Sequence, residues 1–151
     1  MFADLTAASR PEAPRRTPSE GWRLRILRST LEIHAELEVI VAALGVAGYT
    51  PDEAFGVRLA LEEALVNAVK HGNRGDPAKR VRLRFRVMAG RFVAEVEDEG
   101  GGFDPQQVPD PFAPENRERD GGRGLLLIRH YMSWVRYNAA GNRVILCKRR
   151  G

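Results

Sequence analysis

Two neighbouring stretches with a residue period of two constrain the fold of this 151-residue chain most strongly. In residues 80–87, arginines alternate strictly with apolar side chains, and in residues 91–97 apolar residues again fall at every second position. Because successive side chains of a strand point to opposite faces of a sheet, this pattern predicts two half-buried strands. A two-residue turn at Ala89-Gly90 would join them into an antiparallel hairpin.

The predicted hairpin also bears on the basic character of the chain. The chain carries 24 Lys and Arg against 20 Asp and Glu, a net charge of +4, which can favour anionic partners such as nucleic acid. The register set by the turn would place Arg84 opposite Glu95 and Arg82 opposite Glu97 on the outer face. The arginine row is therefore interpreted as a largely neutralised sheet surface, and direct nucleic-acid binding is the weaker hypothesis.

Composition bounds the class of protein. A hydrophobic content of 43% suits one globular domain, predicted over residues 21–151, and residues 1–20, with three prolines, are predicted to be a disordered tail. No apolar run approaches the ~20 residues of a membrane helix, and the N-terminus lacks the apolar stretch of a signal peptide. With Cys147 as the single cysteine, no internal disulfide can form. We therefore expect a cytoplasmic protein that does not bind membranes.

A long helix is predicted between Thr50 and His71. Thr50-Pro51-Asp52-Glu53 is a strong start signal, with a hydroxyl cap, proline at the first helical position and glutamate at the third. Gly72, Asn73 and the Gly and Pro that follow would end the helix. Gly56 and Ala60 share a face with the polar residues further along, and this mixture of small and polar groups favours a cleft floor.

The polar part of that face carries candidate chemistry. Glu63 and Asn67 are four residues apart and so lie on one side of the helix, which Lys70 and His71 extend by another turn. The amide oxygen of Asn67 is a ligand type that Mg²⁺ accepts alongside water and phosphate. The carboxylate of Glu63 can accept a proton from an attacking hydroxyl or water. The alternative is an ordinary solvent-exposed polar helix face.

A second candidate segment runs from Asp98 into Gly100-Gly101-Gly102 at the end of the second hairpin strand. Functional side chains concentrate where strands lead into loops. A carboxylate there can accept a hydrogen bond from an exocyclic amine such as that of adenine, and glycines let the backbone approach a flat base. The alternative is a plain turn, since Asp and Gly favour turns in any case.

A third candidate segment, Gly121-Gly122-Arg123-Gly124, would open a short apolar helix over residues 125–132. Free backbone N–H groups at a helix start favour phosphate, although the Gly-Lys-Ser/Thr of a Walker A loop is missing. Residues 103–121 before it are rich in Pro, Gly and charge, which predicts either a functional lid or a disordered loop.

Together the three segments resemble the motifs of the GHKL, or Bergerat-fold, ATPases. Glu63-x-x-x-Asn67 is similar to the N box, Asp98-x-Gly100-x-Gly102 to the G1 box, and Gly122-x-Gly124-Leu125 to the G2 box. The run from Glu63 to Gly72 further resembles the anti-sigma-factor serine/threonine kinases, and the resemblance covers residues 20–151. It implies an α+β fold, a two-layer α/β sandwich whose mixed, mainly antiparallel sheet is covered by helices on one face.

The resemblance also implies roles for individual residues. Glu63 would be the catalytic base, and Asn67 would hold Mg²⁺ at the phosphates of ATP. Asp98 would bind the adenine amine beside Gly100 and Gly102. Residues 104–121 would form the ATP lid. The phosphates would be contacted by the residues that follow it, Gly122, Arg123, Gly124 and Leu125. Lys70 and His71 would be further neighbours of the phosphates.

The function that the resemblance implies is a protein serine/threonine kinase that acts as an anti-sigma factor. Its substrate would be an anti-anti-sigma (STAS-type) protein, a sigma factor would be its second partner, and a homodimer is implied by analogy alone. Because the chain has no room for a second domain with a phospho-accepting histidine, action on a separate protein is favoured. The alternative is an ATP-gated binding module with little or no kinase activity.

Overall fold

A computed structural model describes residues 21–101 and 122–151 of the chain. The predicted tail, residues 1–20, and the predicted lid, residues 104–121, lie outside the described residues. In chain order the elements are β1 (Arg23–Leu27), α1 (Thr30–Val46), α2 (Pro51–Asn67) with a π-helical continuation (Ala68–Gly72), β2 (Val81–Val87), β3 (Arg91–Glu97), α3 (Gly122–Tyr131), β4 (Trp134–Tyr137) and β5 (Arg143–Arg149).

The strands form one five-stranded sheet in the order β1-β2-β3-β5-β4. Each of its four described pairings is antiparallel. The predicted hairpin register is confirmed, with Arg84 opposite Glu95 and Arg82 opposite Glu97. The predicted two-layer α+β architecture is confirmed as well.

The outer face of the sheet carries the predicted charge pairs. Arg84 lies 3.3 Å from Glu95 and Arg82 lies 3.5 Å from Glu97, and all four side chains are partly exposed. The Arg84 guanidinium also lies 4.8 Å from the centroid of the Trp22 ring. Exposed pairs of this kind contribute at most about 1 kcal/mol each, so they neutralise the arginine row more than they stabilise the fold.

The hydrophobic core lies between the inner face of the sheet and the helices. Phe85 of β2 and Phe92 of β3 are fully buried with ring centroids 6.4 Å apart, each burial stabilising the fold by roughly 1.5–3 kcal/mol. Further fully buried positions in the strands and helices mostly follow the periods of their elements, two in strands and three to four in helices; they include Leu83, Ala94, Leu146, Ile33, Leu37, Ile40, Leu44, Val57, Ala60, Leu61 and Leu65. No helix within residues 21–101 and 122–151 is long and apolar enough to cross a membrane.

Helix α2 begins as its sequence predicts. The Thr50 hydroxyl accepts a hydrogen bond from the Glu53 amide at 3.1 Å, and the Glu53 carboxylate accepts one from the Thr50 amide at 2.8 Å. This reciprocal capping satisfies two of the backbone donors that a helix start leaves free. At the other end α2 passes at Ala68 into a π-helical turn, which the sequence analysis did not anticipate.

Candidate active site

Asp98 lies directly after β3, at the point where the strand gives way to the glycine-rich turn. Its backbone amide donates to the Asn142 carbonyl at 2.9 Å, which ties it to the turn between β4 and β5. Its carboxylate Oδ1 accepts a hydrogen bond from the Gly100 amide at 2.8 Å. The start of the turn is therefore fixed both to the neighbouring hairpin and to its own side chain.

The end of the π-helical segment packs against this turn through two glycines. A Cβ added at Gly72 would overlap the Asp98 carboxylate, and one added at Gly100 would overlap the Gly72 carbonyl. By contrast, a Cβ at Gly101 would meet no atom within 4 Å. The predicted importance of Gly100 thus gains a steric reason. Gly72, predicted from the sequence to end the helix and the last residue of the family-like run, lines the same contact.

Partial burial changes the acid strength of Asp98. Loss of hydration on burial raises the pKa of its carboxyl above the ordinary value of 3.8, and the nearby Glu97 acts in the same direction. The hydrogen bond from the Gly100 amide and the charge of Lys79 oppose this rise. A carboxylate held in a partly desolvated site is typical of functional positions, where it can form a strong hydrogen bond with a ligand donor.

Asn73 is a buried polar residue that the sequence analysis considered only as a helix breaker. It is 2% exposed, and its side-chain oxygen accepts a hydrogen bond from the Glu99 amide at 2.8 Å. Its side-chain nitrogen donates to the Arg80 carbonyl at 3.0 Å. The signal available in the sequence was an Asn between Gly72 and Gly75 at a helix end, which is too common a pattern to single it out.

The polar face of α2 has the opposite character. Glu63 and Asn67 are partly buried, and among residues 21–101 and 122–151 neither side chain has a hydrogen-bond or ion-pair partner. The adjacent Glu62 is engaged instead, with its carboxylate 3.0 Å from His34 Nε2 and 3.3 Å from Arg58 Nη1. Of two neighbouring glutamates, the structure therefore leaves only Glu63 available for a ligand.

The small residues of α2 do not form a cleft floor, so that prediction was wrong. Ala60 is fully buried in the core, and a Cβ at Gly56 would lie 2.9 Å from the Tyr131 ring of α3. Phe55 also meets Tyr131 edge to face, with centroids 6.3 Å apart. Small side chains here let two helices approach closely, which the sequence alone does not distinguish from a cleft.

The π-helical turn decides which residue of the helix end meets Asp98. The Asn73 amide donates to the Ala68 carbonyl at 2.8 Å, a span of five residues that places more residues in one turn than an α-helix does. It brings Gly72 against Asp98 and leaves Lys70 and His71 exposed on the surface. Lys70 and His71 therefore do not line the contact with Asp98.

The third predicted segment is described in part. Helix α3 begins at Gly122, so Gly122, Arg123 and Gly124 form its first turn, as the sequence predicts for a helix start. Leu125 is 6% exposed. Gly102 and the residues immediately before Gly122 lie outside the described residues.

The chain is similar to known proteins over most of its length. The family described as the histidine kinase-like ATPase domain matches residues 27–148. The chain is 37% identical to the serine-protein kinase RsbW of Bacillus subtilis (strain 168) over 108 residues, which is 67% of this chain and 68% of that protein.

Further relatives carry the same name. The RsbW of Bacillus licheniformis is 35% identical over 95 residues, and the match spans 59% of this chain and 59% of that protein. The RsbW of Staphylococcus aureus (strain JH9) is 25% identical over 141 residues, which is 88% of this chain and 83% of that protein. Because the family match covers most of the chain and contains α2, the Asp98 turn and α3, this chain belongs to the histidine kinase-like ATPase domain family.

Proposed function

We propose that this protein is an ATP-dependent protein serine/threonine kinase that acts as an anti-sigma factor in a partner-switching pathway. Membership of an ATPase family and the serine-protein kinase names of its relatives support ATP use and phosphotransfer. The observation that carries the proposal is the contrast between Glu62 and Glu63. The Glu62 carboxylate is paired with His34 and Arg58, whereas the Glu63 carboxylate has no partner among the described residues and is free to accept a proton.

The Asp98 turn is the proposed adenine site. Asp98 Oδ1 accepts the Gly100 amide, and Oδ2 has no partner among the described residues, so it is available to an exocyclic amine. Gly72 and Gly100 lack the Cβ atoms that would fill the space beside this carboxylate. A preformed acceptor beside bare backbone suits a flat base with one amine donor. Gly102 would extend this wall.

The polar end of α2 and the start of α3 form the proposed phosphate site. Asn67 would hold Mg²⁺ through its amide oxygen, and the metal would neutralise charge on the phosphates. Lys70 and His71 are exposed on the next turn after Asn67 and would contact the same phosphates. The first turn of α3 would offer backbone N–H groups to the phosphates through Gly122, Arg123, Gly124 and Leu125.

Glu63 is the proposed catalytic base. It would accept the proton of a serine hydroxyl as that oxygen bonds to the γ-phosphorus of ATP and the bond to ADP breaks. Its partly buried position on a well-capped helix restrains the side chain without using up its acceptor capacity. Most of the remaining catalysis would come from positioning and charge neutralisation.

The proposed protein substrate is an anti-anti-sigma protein of the STAS type, and a sigma factor is the proposed second partner. A homodimer and a cytoplasmic location complete the proposal. The charge pairs Arg82–Glu97 and Arg84–Glu95 favour a protein partner over direct nucleic-acid binding, because they neutralise the arginine row that would otherwise attract phosphates.

Transfer of labelled phosphate from ATP to a STAS-type protein tests the proposal. Glu63→Gln should slow transfer by roughly 100- to 10,000-fold while ATP affinity is kept, since a general base acts on the chemical step. Glu62→Gln is the matched control and should retain transfer. Undiminished labelling in Glu63→Gln would disprove the base assignment, and ATP binding without transfer to any partner would favour the ATP-gated binding module.

A further inference from the structure

Asn73 makes contacts that hold one particular peptide unit in place. Its side-chain oxygen accepts the amide hydrogen of Glu99, and that amide belongs to the peptide linking Asp98 to Glu99. The same peptide is approached from its other side by the Asn142 side-chain nitrogen, which lies 3.4 Å from the Asp98 carbonyl. At that distance the second contact is weak, so Asn73 provides the main restraint.

The restraint acts on the direction of the Asp98 side chain. The Asp98 amide is bonded to the Asn142 carbonyl at 2.9 Å, which fixes the backbone before the residue. The Asn73 bond fixes the peptide after it. With both flanking peptides held, the Asp98 backbone cannot rotate without breaking one of these hydrogen bonds, so its Cα–Cβ bond keeps one direction. The Gly100 amide, which donates to Oδ1 at 2.8 Å, then sets the orientation of the carboxylate.

Asn73 is itself anchored from several sides. Its side-chain nitrogen donates to the Arg80 carbonyl at 3.0 Å, and its own amide closes the π-helical turn at Ala68. The Arg80 side chain in turn lies 3.1 Å from the Glu99 carboxylate. Because the Asn73 side chain is 2% exposed, water cannot readily replace these bonds if the amide is removed.

We propose that Asn73 is a positioning residue for nucleobase recognition, which holds the Asp98–Glu99 peptide so that the Asp98 carboxylate meets the exocyclic amine of the base. The inference rests on the proposed adenine-binding role of Asp98. It adds a residue outside the three motifs and assigns it a share in selecting amino-purine nucleotides.

The test compares two ligands that differ only in the amine. The full chain is titrated with ATP and with purine riboside triphosphate, which lacks the 6-amino group, and the ratio of the two Kd values is measured. Unmodified protein should prefer ATP by roughly 10- to 100-fold, as expected for a hydrogen bond to a charged group. A loss of folded protein affects both ligands equally and leaves the ratio unchanged.

Asn73→Ala should reduce this preference to less than about threefold, because the Asp98 carboxylate then loses its fixed orientation. Ile40→Val, a truncation in the buried core of α1, controls for lost stability and should keep the full preference. If Asn73→Ala does not fold, Asn73→Ser is measured in its place, with the same expected loss of preference. A retained preference in the folded Asn73 variant would overturn the inference.

Asp98→Ala separates this inference from the proposed function. Loss of the preference in Asp98→Ala together with its retention in the Asn73 variant would overturn the positioning role alone. If unmodified protein shows no preference, or Asp98→Ala keeps it, the adenine assignment is wrong and the Asn73 inference falls with it.

Discussion

The Asp98 turn and the Glu63–Asn67 face of α2 belong to one proposed site, but the protein prepares them differently. In the turn, backbone groups and side chains are bonded to one another: Asp98 to Gly100 and Asn142, and Glu99 to Asn73. On the helix face, Glu63 and Asn67 have no partner among the described residues. The first region is held in place by bonds within the protein and leaves one oxygen, Asp98 Oδ2, for the base, whereas the second presents both of its side chains to a ligand.

This difference matches the work proposed for each region. A base is recognised by shape and one hydrogen bond, so a rigid and preformed turn binds it with little ordering cost. Metal binding and proton transfer need oxygen atoms that are free at the moment of reaction. A hydrogen bond from another residue of the same protein would compete with the ligand for these oxygens. Substitutions in the turn should therefore act through its structure, whereas substitutions on the helix face should act mainly through the ligand.

The largest effect on binding is expected from Gly100→Ala. The added Cβ would overlap the Gly72 carbonyl and push the turn away from the helix end, and a displacement of about 1 Å can reduce a positioned interaction roughly 100-fold. Nucleotide titration measures the loss. Gly101→Ala is the matched control, because a Cβ there meets no atom within 4 Å, and its affinity should change less than about threefold. Equal losses in both variants would contradict a steric cause.

The next largest effect is a difference in the free energy of unfolding between Asn73→Ala and Asn67→Ala. Asn73→Ala should lower the free energy of unfolding by about 1–3 kcal/mol, since it leaves the partly buried Glu99 amide and Arg80 carbonyl without their partner. Asn67→Ala removes no bond described within the protein and should change that free energy by less than about 0.7 kcal/mol.

Affinity for ATP in the presence of Mg²⁺ should nevertheless fall roughly 10-fold or more in Asn67→Ala. Denaturant unfolding and nucleotide titration of both variants supply the two measurements. A large stability loss in Asn67→Ala would show that the helix face is not open.

A smaller effect is expected from pH. Burial raises the pKa of the Asp98 carboxyl above 3.8, so the folded protein takes up this proton at a higher pH than the unfolded chain. On acidification through this raised pKa, the preference for ATP over purine riboside triphosphate should decline, because the acceptor is neutralised. The protonated Asp98 should contribute to the free energy of unfolding fully at pH values below the pKa of the unfolded chain. This contribution should be lost as the pH rises through the raised pKa of the folded protein. Asp98→Asn should remove both dependences.

Much of the fold, and the placing of Glu63 and Asn67 on one face of α2, could be predicted from the sequence because the relevant patterns are local. Strict alternation together with the two-residue turn at Ala89-Gly90 predicted the β2–β3 register down to the Arg84–Glu95 pair. The hydroxyl and proline at Thr50-Pro51 predicted the start of α2. Glu63 and Asn67 lie on one helix face simply because they are four residues apart.

The features that could not be predicted depend on contacts between distant segments. The packing of Gly72 against Asp98 arises only when the helix end meets the strand end. The π-helical turn, which determines that Gly72 faces Asp98, has no clear sequence signal. The burial of Asn73 is equally a product of the assembled fold. Gly56 was predicted to line a cleft but packs against Tyr131 of α3, because a small residue suits a cleft floor and a close contact between helices equally well.

Amide hydrogen exchange in the nucleotide-free protein tests the contrast between a preformed turn and an open helix face most directly. The Glu99 and Gly100 amides donate to Asn73 and Asp98 within the protein, so both should be protected before any ligand is added. Addition of ATP and Mg²⁺ should then slow their exchange only slightly. Exchange at the rate of an unstructured peptide without nucleotide, with protection appearing only on binding, would contradict a preformed base site.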